Sequence, residues 1–229
     1  MYVYGKNVVC SLLENNRKIN KAFVYKDFKD KEILNNLKCP IRYYDLKELD
    51  RMVDGNHQGI IVDIPEYTYY DIDDIIKENG FIVILDHLED PHNFGAIIRT
   101  CEAAGVDGII IPKDRSVDVN GTVMKTSVGT LDNMKIVSVT NLTNTMKYLK
   151  DRGYWITATD MDGTDYTKID YKGSIAIIIG NEGSGISRLV SENSDFIASI
   201  PMYGNVNSLN ASVAAGIVIF EAVKQRNEI

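Results

Sequence analysis

The sequence predicts an α/β protein: a parallel sheet covered by helices on both faces, preceded by a smaller α/β unit. Three observations predict it. Apolar runs of strand length recur after residue 80, and strands without a polar face belong in a sheet buried on both sides. Segments with helical spacing of apolar residues alternate with those runs. Ahead of them, shorter elements end in an acidic, proline-containing stretch that breaks the pattern.

In chain order, residues 7–13 read as a helix, 22–25 as a strand, 31–37 as a helix, 41–44 as a strand, 46–52 as a helix and 60–64 as a strand. Pro65 and Glu66, then polar aromatics and Asp71, Asp73 and Asp74, lack an apolar period, which places a linker at 64–79 between a unit at 1–63 and a larger one at 80–229. In the larger unit, strands are expected at 81–85, 108–111, 136–139, 154–159, 175–179 and 196–200. Helices are best signalled at 94–104, 142–150 and 209–225; the last is apolar on nearly every face and is expected to be buried.

Charge and composition narrow the function. The 229 residues carry 25 basic and 32 acidic side chains, net −7, which opposes nonspecific attraction to nucleic acid or membrane. The average hides an asymmetry: residues 1–63 hold 11 basic and 9 acidic residues, net +2, with Arg17, Lys18 and Lys21 close together, and the remainder carries −9. Cys10, Cys39 and Cys101 show no CxxC spacing, and His57, His87 and His92 form no HxxxH pair, so no disulfide framework or zinc site is expected. No window approaches about 18 consecutive apolar residues. The first residues lack the basic-then-apolar order of a signal peptide, which predicts a soluble, cytoplasmic protein without a membrane partner.

Ligands of such sheets collect beyond the carboxyl ends of the strands, and three segments there stand out. In the first, from Leu85 to Arg99, Asn93 stands where a helix cap belongs and Pro91 stiffens the approach. Arg99 follows in an otherwise apolar helix, where a guanidinium needs a partner such as Glu102, Glu182 or a ligand. In the second, Gly180-Asn181-Glu182-Gly183-Ser184-Gly185 follows an apolar strand; its GxxGxG spacing is neither the dinucleotide nor the phosphate-loop pattern, and a glutamate hemmed by glycines is unusual for a plain turn. In the third, Asn207 or Ser208 is expected to cap the last helix, leaving Asn210 in its first turn.

Together these segments resemble the three signature motifs of the SpoU/TrmH class of SPOUT RNA ribose 2′-O-methyltransferases. Asn93-Phe94-Gly95-Ala96-Ile97-Ile98-Arg99-Thr100, with Gly105 and Ile111-Pro112-Lys113-Asp114-Arg115-Ser116, resembles the first; Gly180 to Gly185 the second; Ile200-Pro201-Met202 with Ser208-Leu209-Asn210-Ala211-Ser212 the third. Tyr4-Gly5-Lys6-Asn7-Val8-Val9 and His57-Gln58-Gly59-Ile60 are similar to the ends of the small ribosomal-protein-like (L30e-like) domain of the branch that methylates a guanosine ribose in 23S rRNA, a domain that the transfer-RNA branch typically lacks. Ser127-Val128-Gly129-Thr130 and Ser184 depart from the usual pattern.

The resemblance implies a trefoil knot at the end of the parallel-sheet domain, a homodimer with the site at the subunit interface, S-adenosylmethionine as cofactor and RNA rather than DNA as substrate. It implies cofactor contacts from Thr159, Gly180, Ile200 and Leu209, and no metal. Asn93, Arg99, Glu182, Ser208 and Asn210 become the catalytic set, Arg99 placing a phosphate and standing nearest the 2′-hydroxyl proton, Ser208 assisting the ribose oxygen, the others orienting. Residues 1–63 would select the RNA, with the linker as a tether, so their removal is expected to leave the dimer and cofactor binding intact. Alternatives are a tRNA ribose methyltransferase and a noncatalytic RNA-binding protein on the same fold. A nicotinamide dehydrogenase or Rossmann methyltransferase lacks its GxGxxG, and a serine hydrolase its GxSxG.

Overall fold

The computed structural model describes residues 1–127 and 129–227. These fall into two compact units, and neither is one continuous stretch of chain: Met1–Thr68 is joined by Val119–Asp132, while Tyr69–Asp118 continues from Asn133 onward.

The first unit is built on a mixed sheet of β1 (Tyr2–Tyr4), β2 (Lys21–Tyr25), β3 (Ile41–Tyr44) and β4 (Ile60–Asp63), in the order β1-β4-β2-β3. β4 runs antiparallel to both neighbours, and β3 runs parallel to β2. Helices α1 (Lys6–Glu14), α2 (Lys31–Asn36) and α3 (Leu46–Leu49) complete the expected elements, α2 starting where the Asp30 carboxylate accepts from Ile33 N–H. β1 has no counterpart in the sequence reading, because three residues ahead of a helix are too short a run to show alternation.

The fifth helix of the chain also belongs to this unit. Here α5 (Gly121–Thr126) is capped by Asn120, whose Oδ1 accepts from Thr122 and Val123 N–H, and it packs on β1 so closely that a Cβ on Gly121 would sit 2.5 Å from the Tyr2 carbonyl oxygen. Val119, Val123, Met124 and Leu131 are buried, and Arg17 pairs with Asp132. Residues 119–132 therefore depart from the contiguous division read from the sequence, and Arg17 is spent within the unit rather than offered as free positive charge. Of the Ser127–Thr130 run, Val128 lies outside the described residues.

Among the described residues the second unit holds six strands: β5 (Phe81–Leu85), β6 (Gly108–Pro112), β7 (Ile136–Val139), β8 (Trp155–Asp165), β9 (Ile175–Ile179) and β10 (Phe196–Ser199). All pair in parallel, in the order β10-β8-β9-β5-β6-β7. β5, β6 and β9 are buried at every position, which is why they lack a polar alternation. α6 (Leu142–Lys150) and α7 (Arg188–Asn193) cover one face through Met146, Leu149 and Val190, packed on Ile82, Ile84, Ile156 and Ile178. α4 (Pro91–Ala103) and α8 (Ala211–Asn227) pack together, α4 also against β6 and α8 against β9. The stretch expected to be a tether folds into this unit from Tyr69 onward: Tyr70 bridges to Val137, and Ile75 is fully buried in the same core.

Candidate active site at the carboxyl edge of the parallel sheet

Leu85 and Ile179 pair at the ends of adjacent strands, so the loops after β5 and β9 leave the sheet side by side. β5 gives out into Asp86 and His87. The Asp86 carboxylate is 1% exposed; one oxygen lies 2.6 Å from His87 Nδ1 and the other accepts from Ser187 N–H at 2.6 Å. Asp86 thus ties the β5 loop to the start of α7. Neither it nor Asn181 stood out in the sequence, although an acid straight after five apolar residues and an asparagine inside a glycine run are both signals of local capping.

α4 begins earlier than predicted. Asp90, not Asn93, is its cap, accepting from His92 N–H at 2.7 Å, with Pro91 at the first helical position where no N–H is missed. The outcome is that Asn93, freed from capping, sits 6% exposed in the first turn with its amide available to other groups.

The Gly180–Gly185 turn closes on itself. Asn181 and Gly185 exchange both backbone hydrogen bonds, at 2.9 and 3.0 Å, and the Asn181 Oδ1 accepts from Gly183 N–H at 2.8 Å. A Cβ on Gly180 would meet the Gly185 carbonyl carbon at 2.5 Å, and Gly185 has φ +67°, so both positions require glycine for the turn itself. The Asn181 Nδ2 donates to the His87 carbonyl at 2.7 Å, fixing this turn to the β5 loop. Glu182 stands at the tip.

Three sequence-distant residues meet there. Asn93 Nδ2 donates to Glu182 Oε1 at 2.9 Å, and Asn210 Nδ2 donates to Asn93 Oδ1 at 2.9 Å. Asn210 also accepts from the backbone N–H and hydroxyl of Ser212 through its Oδ1, at 3.0 and 2.6 Å. It is thus the residue that caps α8, and the expectation that Asn207 or Ser208 does so is corrected: the helix starts two residues later than predicted.

The other predicted residues sort differently. Arg99 is exposed on α4 and makes no side-chain hydrogen bond or ion pair among the described residues. Glu182 turns to Asn93, and Glu102 accepts from Asn133 Nδ2 at 3.4 Å, so neither acid takes the guanidinium. Ser208 is exposed in the loop before Asn210. Thr159, inside a β8 that runs on to Asp165, donates its hydroxyl to the Ile178 carbonyl at 3.0 Å. Gly180 is buried, and Ile200 and Leu209 are half-buried at the two ends of the loop from β10 to α8. Gly180 and Ile200 follow the ends of β9 and β10, while Thr159 lies within β8, just past the stretch of that strand that pairs with β9, and the three strands are neighbours in the sheet.

Residues 80–220 match the SpoU rRNA methylase family, and residues 2–70 match the family described as RNA 2′-O ribose methyltransferase substrate binding. A Bacillus subtilis protein assigned to the TrmH family of tRNA/rRNA methyltransferases, YacO, is 40% identical over 241 residues, covering 100% of this chain and 97% of its own. Among solved structures, the SpoU methyltransferase AviRb of Streptomyces viridochromogenes, in complex with AdoMet, shares the fold at TM-score 0.84 and 24% identity, covering 100% of this chain and 91% of that one. An AdoMet-bound rRNA methyltransferase of Sinorhizobium meliloti superposes at TM-score 0.78 with 26% identity, covering 97% and 86%. With both family matches and a full-length relative in agreement, the chain belongs to the SpoU/TrmH family of RNA methyltransferases.

Proposed function

We propose that this chain transfers a methyl group from S-adenosylmethionine to a ribose 2′-hydroxyl of RNA, a guanosine of 23S rRNA being the best candidate. The observation that carries the reading is the hydrogen-bonded chain Glu182–Asn93–Asn210, which joins all three motif loops at one edge of the sheet.

The donor set fits the cofactor. Neither Gly180–Ser187 nor Ile200–Asn210 contains a lysine or arginine, while Glu182 supplies a carboxylate. A pyrophosphate would go unneutralised in such loops; a cationic sulfonium is welcome. Backbone groups of Thr159, Gly180, Ile200 and Leu209 would hold it, with half-buried Ile200, Met202 and Leu209 offering apolar cover to an adenine. When bound, S-adenosylmethionine supplies a methyl group already activated for attack by an oxygen.

The chain's own residues do the rest. Arg99, exposed and unpaired among the described residues, is free to grip an RNA phosphate, and its permanent charge makes that its main task, with help to the departing 2′-hydroxyl proton second. Asn93 and Asn210 hold Glu182 in place, and Ser208, two residues before Asn210, would meet the ribose oxygen. On α8, Ala215, Val218 and Ile219 are buried while Val213 and Phe220 are about half exposed, which supports pairing of two copies through this helix. The sheet order, with β10 beside β8 and α8 following, supports the knotted threading expected of the family. For the first unit, the match over residues 2–70 supports an RNA-selecting role.

The test is methyl transfer from tritiated S-adenosylmethionine to separated rRNA and tRNA, followed by mapping of the label, with cofactor binding measured by calorimetry in chelator. Label at a ribose of 23S rRNA is expected; label in tRNA alone would move the assignment to the transfer-RNA reading. Arg99→Ala should lose more than about nine-tenths of turnover, at least 1.4 kcal/mol, with cofactor affinity retained.

A further inference from the structure

The parallel-sheet unit is acidic, residues 69–118 and 133–229 together carrying 13 basic against 21 acidic side chains, net −8, and several of its cations are already engaged. Lys77 bonds Asp107 at 2.7 Å, Lys150 bonds Asp195 at 2.8 Å and Arg188 bonds Glu192 at 2.6 Å. Two others, Lys113 and Arg115, are exposed, make no side-chain hydrogen bond or ion pair among the described residues, and directly follow the carboxyl end of β6. That strand is β5's neighbour in the sheet, on the side away from β9.

The loop they occupy is fixed to the candidate active site. Val117 N–H donates to the Leu88 carbonyl at 2.8 Å and the Ser116 hydroxyl donates to the same oxygen at 3.2 Å. Leu88 is fully buried and belongs to the β5–α4 connection, between His87, which receives the Asn181 amide, and Asn93. Arg115 itself has φ +52°, the left-handed region, where glycine or asparagine rests at less cost. A residue that gains nothing from its backbone conformation is explained by its side chain. Asp114 between the two cations is also exposed and unpaired among the described residues, so residues 113–117 have a net charge of only +1. Long-range attraction is therefore weak, and the loop works by close contact, an arginine fork and a lysine point charge on phosphate oxygens.

We propose that Lys113 and Arg115 are positioning residues that grip a backbone phosphate of the RNA beside the nucleotide being methylated. The inference rests on the RNA methyltransferase reading and extends it, since it adds a second phosphate contact to that of Arg99, on a different loop.

The experiment uses the full-length protein and its methyl transfer to rRNA across a series of salt concentrations. Lys113→Gln and Arg115→Gly are combined, the glycine keeping the left-handed backbone while removing the charge. The variant should show KM for RNA raised about tenfold, kcat within about twofold, cofactor affinity held, and a dependence of log KM on log salt that is shallower by about one. Arg115→Lys, with Lys113 intact, should regain part of the loss. An unchanged KM and salt slope would overturn the proposal. So would a fall in kcat or in heat stability at constant salt slope, which marks the loop as scaffold. If the wild-type protein methylates no RNA, the underlying reading fails and takes this one with it; wild-type transfer with an indifferent double variant sinks this one alone.

Discussion

Removing residues 1–63 tests the discontinuous first unit directly. The deletion strips β1–β4 and α1–α3 but leaves residues 119–132 attached to the parallel-sheet unit. In the intact protein Val119 is 7% exposed, Val123 0%, Met124 7% and Leu131 3%. Burial of each such side chain is worth about 1.5–3 kcal/mol, so roughly 6–12 kcal/mol is withdrawn from this segment, comparable with the whole stability of a small domain at about 5–15 kcal/mol. α5 should melt and place four apolar side chains in water. Size-exclusion chromatography with light scattering should therefore find aggregate where full-length protein is monodisperse. Adding Val123→Asp, Met124→Lys and Leu131→Gln to the same deletion should restore a defined species that still binds cofactor. A simple deletion mutant as monodisperse and as heat-stable as the full chain would refute the reasoning and restore the tether expected from sequence.

Three further outcomes follow from the site and core. Asn93→Leu removes two hydrogen bonds worth about 0.5–1.5 kcal/mol each, so turnover should fall about tenfold to a hundredfold with circular dichroism unchanged; full turnover would show the Glu182–Asn93–Asn210 chain to be idle. Gly180→Ala drives a Cβ into the Gly185 backbone, and calorimetry should show cofactor affinity down by more than tenfold. Tyr171 is fully buried with a hydroxyl that has no hydrogen-bond partner among the described residues, so Tyr171→Phe should leave stability unchanged or raise it by about 1 kcal/mol. Burial also holds this phenol well above its ordinary range, which favours the neutral form in the folded state; stability should decline as pH rises past about 10, where the unfolded chain ionises, and chemical unfolding of the Phe variant should lack that part of the decline.

The strands of the parallel sheet were legible because β5, β6 and β9 are buried on both faces and so carry unbroken apolar runs. α5 was not: six residues with two buried side chains have no period to read, and their burial depends on β1, more than 100 residues earlier in the chain. The site residues were legible as types in a spacing, yet their partners were not. The cap of α4 passed from Asn93 to Asp90 and that of α8 from Asn207 or Ser208 to Asn210, because several polar residues in a row can each cap a helix and only the tertiary demand on one amide decides between them. Asp86 went unread because the carboxylate of a single residue shows nothing of its burial until β9 and α7 are laid against it.

Asn210 has a wider consequence. The N–H groups that open α8 can only be satisfied by an oxygen, so they dictate which end of the Asn210 amide faces the helix and leave its nitrogen pointing to Asn93. Asn93 must then offer oxygen on that side and nitrogen on the other, towards Glu182. The polarity of a helix terminus is relayed through two amides to the carboxylate, and neither amide can flip alone without setting like against like. Deamidation of Asn210 would keep the cap and reverse the message, an acid facing the Asn93 oxygen where a donor had stood, so slow chemical ageing at one position would disarm the site while leaving the fold intact.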